Sequence, residues 1–592
     1  MLWKKESSQK DALYVDFFLL KGHAALNRFY SAIESHYEDS TCEKSDEKSE
    51  KKRNEGNKLF QEREWAAAME KYNESLSYAK HGSKNISLAF ANRSACFFNM
   101  KRYNECLIDI GLAVEAGYPE DLMPKLDKRR ADSLKRIESG AQLIDDFGLK
   151  MDFAADEKFP CMANVLNIKQ GGDGDFSVFA KTDIDVGQTI AVEKAFTTCL
   201  YTRFGWRCNL CLKQNTNLIA CDKCTVAMFC HDGCQSSPLH GYECGLKFAG
   251  HNQMLGALMN EIRTIIKVVN MFANIDELMD FVEQAITTDP NELPHALLDE
   301  KSKYRAFLKL PYLQSCAQQD EFIPIVFCIY KTLIGMPKIN ALFKLQKHSR
   351  FLMHLIAHHN QVANNNSIRI RSSIQLNERR EMCCHAGLIK HFFKHSCAPN
   401  VLWTDRDGHS VIITIRPVSK GQELTMFYFD ILMEPKLNRQ KILWENKQFV
   451  CNCTRCDGNT ASRTQRKRIT SDSNYQKIVS KSGRDDSQTM MDKCEMFLRT
   501  YNQIPWCDEI GRVVCAYISI IRTRLIGSVT SDTIFQNYLL NKTTEAFIAF
   551  LRTYDNNSWQ KEIAIQINTH MDHLRKRSTG CSLYTMPSMM AK

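Results

Sequence analysis

The sequence predicts an α+β protein of several domains, on three observations. Helical periodicity runs through the N-terminal third. Short alternating strands flank two Gly-Gln turns further along. A block dense in cysteine separates the first strands from a long helical stretch. At 592 residues the chain exceeds one hydrophobic core, and length alone argues for roughly 3 to 5 domains. A composition of 44% hydrophobic and 25% charged residues is that of a globular protein, and a net charge of +10 is mild for the length. No recognition helix with a basic face stands out, which argues against direct nucleic acid binding. The opening "MLWKKESSQKDALYVDFFLLKG" has its apolar run interrupted before Lys21, which argues against a secretory signal. The most apolar stretch, "FIPIVFCIYKTLIGM", contains Pro324 and Lys331, so it reads as core and not as a membrane span. Cytoplasm and nucleus are the expected compartments. There the 24 cysteines are better explained by metal ligation than by disulfides.

The helical third opens after the polar linker "DSTCEKSDEKSEKK". Leu59, Phe60, Trp65, Ala68, Tyr72 and Leu76 recur at helical spacing with a break around Arg63, which predicts a helix pair. "SLAFANRSACFFNMKRYNECLIDIGLAVEAG" repeats the order of small and aromatic residues, and a third unit starts at "LMPKLDKRRADSLKRIE". A period in the mid-thirties resembles the tetratricopeptide repeat. Arg53 and Asn57 share one helix face, Lys125 and Arg129 share another, and Asn92 lies between them. Tetratricopeptide domains that hold the C-terminal carboxylates of heat-shock chaperones carry Lys, Asn, Asn, Lys and Arg at these slots. The resemblance therefore implies a peptide-carboxylate clamp, with arginine in place of the first lysine. Solvated charges on helix faces are the plainer alternative.

Residues 208–244 carry Cys208, Cys211, Cys221, Cys224, Cys230, Cys234, His240 and Cys244. The spacing C-x2-C, C-x2-C, C-x3-C, H-x3-C supplies eight ligands, enough to close two tetrahedral zinc sites with no position open to substrate. Such sites are structural, and in so short a segment the metal supplies much of the folding energy. The block resembles the MYND zinc finger. That resemblance implies interleaved ligation, with Cys208, Cys211, Cys230 and Cys234 on one ion and Cys221, Cys224, His240 and Cys244 on the other. It also implies proline-rich peptides as partners. Cys42, Cys96 and Cys106 have no such spacing and read as ordinary thiols.

Before the finger, "GDFSVFAKTDIDVGQTIAVEKAF" predicts two short strands around the "DVGQ" turn. "HSVIITIRPVSKGQELTMFYFD" repeats that style downstream. Residues 251–360 between them are mostly helical in pattern. Three further motifs, "HSCAPN", "GQELTMFYFD" and "RQKILWENKQFVCNCTRC", complete a resemblance to the SET and MYND family of protein-lysine methyltransferases, in its tetratricopeptide-bearing branch. The implied architecture is a β-rich SET domain split by the finger and a helical insert, flanked by N-terminal repeat helices and a C-terminal helical region. The implied divisions are 1–46 extension and linker, 47–140 repeats, 150–205 first SET part, 206–246 finger, 247–360 insert, 361–435 second SET part, 436–460 post-SET segment and 461–592 helical region.

The resemblance implies S-adenosylmethionine as methyl donor, three zinc ions, and a lysine of a histone or other protein as acceptor. Cys451, Cys453 and Cys456 are three thiolates, and the family completes the zinc site with Cys397. Tyr428 takes the slot of the tyrosine beside the transferred methyl. Cofactor contacts carry over to Asn366, Lys394, His395 and Phe449, and to Ser177 in the early loop. Several positions depart from the pattern. Lys394 replaces an asparagine, Asp175 and Ser177 replace glycines, Ile368 a channel phenylalanine, and Lys447 a channel tyrosine. Two readings follow: an active methyltransferase, or a SET and MYND scaffold with weak or no activity that recruits chaperone or transcriptional partners.

Overall fold

A computed structural model describes residues 43–139, 149–170, 176–185, 188–200, 207–213, 217–245, 253–287, 296–310, 319–372, 380–406, 408–414, 416–428, 436–457, 461–480 and 487–501, with a few more up to 516. Asp175 and Cys42 lie outside these residues. The chain forms two compact units, one of residues 1–143, 194–391 and 406–409, the other of residues 144–193, 392–405 and 410–592.

Among its described residues the first unit opens with two helical hairpins and a fifth helix. Helix α1 (Asp46–Gln61) starts at Ser45, whose side chain caps the Lys48 amide, and carries Asp46 and Glu47 in its first turn. It ends before Arg63, which adopts a left-handed φ of 64° and turns the chain into α2 (Trp65–Tyr78). The same device recurs at Lys101 (φ 59°) between α3 (Lys84–Asn99) and α4 (Tyr103–Glu115). Helix α5 (Met123–Glu138) follows with Pro124 in its first turn, where the missing N–H costs nothing. Gly56 on α1 is required by the packing. A Cβ there would lie 2.7 Å from Cε1 of the buried Tyr72.

The core of these helices (Ala68, Tyr72, Leu76, Phe90, Phe97, Ile110, Leu126) continues without a break into Leu218, Val226, Met228 and Phe229 of the cysteine-rich segment. That segment consists of a hairpin of β5 (Ile219–Ala220) and β6 (Met228–Phe229) with two short helices, α6 (Asp232–Gln235) and α7 (Pro238–Glu243). Strand β4 (Thr198–Leu200) forms a sheet with β8 (Arg380–Ala386) and β7 (Ser367–Ser372) in the order β4-β8-β7, antiparallel throughout. Among the described residues, six helices lie between β6 and β7 beyond the cysteine-rich segment: α8 (Gln253–Val269), α9 (Ile275–Thr287), α10 (Glu300–Leu308), α11 (Gln319–Gly335), α12 (Pro337–Leu342) and α13 (Gln346–Asn366). Among the described residues no helix is long and apolar enough to cross a membrane.

The second unit holds β1 (Leu166–Gln170) antiparallel to β2 (Phe176–Ala180). A three-stranded sheet follows the order β10 (Val401–Arg406), β11 (His409–Thr414), β3 (Thr189–Lys194). A short parallel pair joins β9 (Lys394–His395) to β12 (Thr425–Met426). The two strands expected around "DVGQ" both form, but in different sheets, β2 with β1 and β3 with β11. The strands around "SKGQ" separate in the same way. Turn residues specify where the chain reverses and leave the strand partner open. Helices α14 (Lys436–Lys447), α15 (Thr454–Asp457), α16 (Arg463–Thr470), α17 (Ser473–Val479) and α18 (Ser487–Thr500) belong to the same unit.

Candidate functional site

Three quartets of cysteine and histidine close up among the described residues: Cys208, Cys211, Cys230, Cys234; Cys221, Cys224, His240, Cys244; and Cys397, Cys451, Cys453, Cys456. In each, all four ligand atoms lie within 4.8 Å of one another. A tetrahedral ion with metal–sulfur bonds of about 2.3 Å sets sulfurs ~3.8 Å apart. The observed separations match: 3.5 Å for Cys211–Cys230, 3.9 Å for Cys221–Cys244 and 3.7 Å for Cys456–Cys397. The donor sets therefore fit a tetrahedral, thiophilic ion. In every quartet one thiol is pulled far below its usual range by neighbouring thiols donating to it: Cys208 by Cys211, Cys221 by Cys224, and Cys453 by Cys397.

Cations attend two of the quartets, and nothing in the spacing of residues signals them. Arg439 is buried and donates from Nε to Cys397 Sγ (3.2 Å) and from Nη2 to Cys456 Sγ (3.4 Å). Four thiolates around a divalent ion leave two negative charges, so a guanidinium on two of the sulfurs offsets one of them. Gln440 fixes the same loop, accepting from the Cys451 amide (2.9 Å) and donating to its carbonyl (2.6 Å). Beside the second quartet, Lys44 Nζ donates to the Ser77 carbonyl (2.9 Å). Burial lowers its ammonium while Cys221 and Cys224 draw it back up.

The third quartet leads directly to Tyr428. His395 ends β9 and sits with its Nε2 3.3 Å from Cys397 Sγ, while its Nδ1 accepts the Tyr428 backbone amide at 3.1 Å. Because Nδ1 accepts, the proton resides on Nε2 and points at the Cys397 sulfur. Burial pushes this imidazole down to about 4, so it stays neutral. Both ring nitrogens are thus engaged inside the chain, and the ring, expected as a cofactor contact, also holds the Tyr428 amide. Asn400 locks the same strand from the other side. Its backbone donates to Thr425 O (3.1 Å), its Nδ2 to Glu423 O (2.8 Å), and its Oδ1 accepts from Thr425 N (2.7 Å).

Tyr428, His395 and Phe449 form an aromatic trio, with ring centres 5.4 Å (His395–Tyr428), 5.8 Å (His395–Phe449) and 6.4 Å (Tyr428–Phe449) apart. Lys447 places its Nζ 6.0 Å from the Tyr428 ring centre. Lys394 pairs with Thr425 in β9, and Ser177 lies in β2 with its buried Oγ lacking a hydrogen-bond partner. Asn366 belongs to the other unit, at the end of α13, where its Nδ2 donates to Val362 O (2.9 Å).

The five clamp positions fall on α1, α3 and α5. Asn57 Oδ1 accepts from both Tyr72 Oη (3.0 Å) and Asn92 Nδ2 (2.8 Å). Arg129 donates to Ala91 O (2.8 Å) and Ser94 Oγ (2.7 Å). Arg53 touches Glu50 at 3.4 Å, its buried Nε has no hydrogen-bond partner, and Lys125 is exposed. Burial pushes the Tyr72 phenol above its usual range while Arg53 and Arg129 both pull it down, so the two guanidiniums face one hydroxyl.

Comparison with known proteins agrees with this geometry. Residues 175–429 match the SET domain family. The chain is 21% identical over 545 residues to mouse (Mus musculus) protein-lysine N-methyltransferase SMYD4, covering 69% of this chain and 66% of that protein. It is 39% identical to the human (Homo sapiens) counterpart over 117 residues, 19% of this chain and 14% of that protein. It is 27% identical to histone-lysine N-methyltransferase ASHR1 of Arabidopsis thaliana, covering 49% and 54% of the two chains. The chain thus spans just under two thirds of the mouse relative and less of the others. The matched domain and the relatives point the same way: the chain carries a SET domain and is similar to proteins named as protein-lysine methyltransferases.

Proposed function

We propose that the chain is an S-adenosylmethionine-dependent protein-lysine N-methyltransferase. The observation that carries this reading is the relay from Cys397 through His395 to the Tyr428 amide, which fixes the tyrosine of the "ELTMFY" segment within an aromatic trio. The residues suit the methyl donor. Phe449 offers a face for adenine, Lys394 a cation for a carboxylate, and Ser177 a buried hydroxyl still lacking a partner. When bound, S-adenosylmethionine supplies an electrophilic methyl on a sulfonium. The chain's residues need only align the acceptor amine in line with it and keep that amine unprotonated in an apolar channel. Tyr428 orients the acceptor, His395 and Asn400 hold Tyr428, and the three quartets, taken here as zinc sites, hold the frame. Calorimetry with S-adenosylmethionine tests the reading. Binding is expected, with Tyr428→Phe retaining it and losing methyl transfer to protein lysines. No heat of binding leaves the scaffold reading in its place.

The repeats give the substrate partner side of this reading. The unpartnered Nε of Arg53 and the paired asparagines Asn57 and Asn92 support a tetratricopeptide-type clamp for an acidic C-terminal tail, as on heat-shock chaperones. Since Arg129 also braces α3, Lys125→Ala is the cleaner probe. It should weaken binding of a tail peptide ending in a free carboxylate and leave an amidated peptide unaffected. Proline-rich peptides at the finger, and residence in cytoplasm and nucleus, belong to the same proposal.

A further inference from the structure

Lys447 is the last residue of α14, and Gln448 after it turns the chain through a left-handed φ of 55°. This turn sends the backbone directly to Phe449 and on to the third quartet, so the Lys447 side chain is held at the tyrosine that the proposed reaction uses. It is half-buried there, unlike the exposed Lys441 earlier on the same helix. Its amine lies 6.0 Å from the Tyr428 ring centre, at the outer edge of a cation–π contact. Such a contact at full charge is weak, and burial lowers this ammonium from the ordinary lysine value. A primary amine half-withdrawn from water, on a short tether, beside the reacting tyrosine, has the properties required of an acceptor.

Resting on the proposed methyltransferase activity, we propose that Lys447 is a methyl acceptor within its own chain. The ammonium first gives its proton to water. The Nζ lone pair then forms a bond to the methyl carbon of S-adenosylmethionine. The carbon–sulfur bond breaks with its electron pair staying on sulfur, leaving S-adenosylhomocysteine and an N-methylated lysine that can take up a proton. The tether makes the encounter unimolecular, so this transfer does not depend on a partner's local concentration. A methyl on Nζ makes the side chain bulkier and less hydrated while it can still carry charge. The mark therefore alters the wall beside Tyr428 that other acceptors must pass.

The test combines mass spectrometry with calorimetry on the full chain. Incubation with S-adenosylmethionine is expected to add a methyl at Lys447, at a rate per molecule unchanged by a tenfold dilution of the protein. Tyr428→Phe abolishes the mark while retaining cofactor binding. Lys447→Met is expected to keep the affinity for S-adenosylmethionine within about threefold, because an acceptor does not contact the donor's carboxylate or adenine. Cofactor binding with Lys447 unmodified overturns the inference and leaves the proposed function standing. A tenfold or greater loss of affinity in Lys447→Met also overturns it, making Lys447 a cofactor contact. Absence of cofactor binding to the wild-type chain removes both.

Discussion

Arg93 and Asp109 form a bidentate ion pair with both side chains completely buried, Nε to Oδ2 and Nη2 to Oδ1 each at 2.7 Å. The pair is not confined to the helical hairpins. Arg93 Nη1 donates to Asn73 Oδ1 and to the Leu218 carbonyl, both at 2.8 Å, and Asn217 Nδ2 donates to Asp109 Oδ1 at 2.7 Å. Every charged atom is matched, and the matching groups come from α2, α3, α4 and the approach to β5.

Breaking this network from one side should be severe. Arg93→Met leaves Asp109 buried with its charge uncompensated, at a cost of about 3–5 kcal/mol. Urea unfolding followed by far-ultraviolet circular dichroism measures it. Arg93→Met together with Asp109→Leu should recover much of the loss, and a double variant no better than the single one would contradict this account.

Arg439→Met should cost metal at one site only. Without the guanidinium on Cys397 and Cys456, the third quartet loses its charge compensation, and affinity there should fall roughly 10–100-fold. Titration with a chromogenic chelator should then show one easily removed equivalent and two tight ones. Three equally tight ions would mean that Arg439 is only a packing residue.

Glu261 gives a pH dependence with a definite sign. It is buried on α8, accepts from Asn360 Nδ2 (2.7 and 2.8 Å to its two oxygens), and burial raises its carboxyl to about 8. The folded state therefore keeps a proton that the unfolded chain releases near 4.5. Its contribution is fully present below that value and declines by about 1.4 kcal/mol per pH unit until the folded group ionises near 8. Glu261→Gln should remove this slope, so its thermal midpoint should gain on the wild type between pH 6 and 8. Parallel curves for the two proteins would refute the assignment.

Gly56→Ala sets two effects against each other. Helix propensity favours alanine by ~1 kcal/mol. The added Cβ would meet Tyr72 Cε1 at 2.7 Å and Cδ1 at 2.9 Å, and overpacking of a ring with nowhere to move costs about 1–3 kcal/mol. The clash should win, with destabilisation and a displaced Tyr72–Asn57 bond. A raised melting temperature would show that the ring gives way.

The eight ligands at 208–244 are legible because thiol spacing is a strong and local signal, while their interleaving into two quartets came from resemblance. The third was only three-quarters local, since Cys397 lies 54 residues from Cys451 and was supplied by resemblance. Arg439 carried no spacing signal, being one arginine in a polar helix. Arg93 and Leu218 are 125 residues apart, and nothing in either stretch names the other. His395 shows a different limit. Its motif indicates that the residue matters, but only the geometry assigns one ring nitrogen to a sulfur and the other to an amide.

The shared core of the hairpins and the cysteine-rich segment bears on how such a chain can be taken apart. Its boundary at residue 140 is visible as a change of pattern along the sequence, but the segment that starts near 206 supplies part of the interior on the other side of that boundary. Cutting the chain there would expose apolar surface on both pieces and leave the Arg93–Asp109 pair of the first piece without Asn217 and the Leu218 carbonyl. The helical hairpins and the cysteine-rich segment must therefore be expressed, transplanted or lost together, and changes at Arg93 are constrained by residues at 217 and 218.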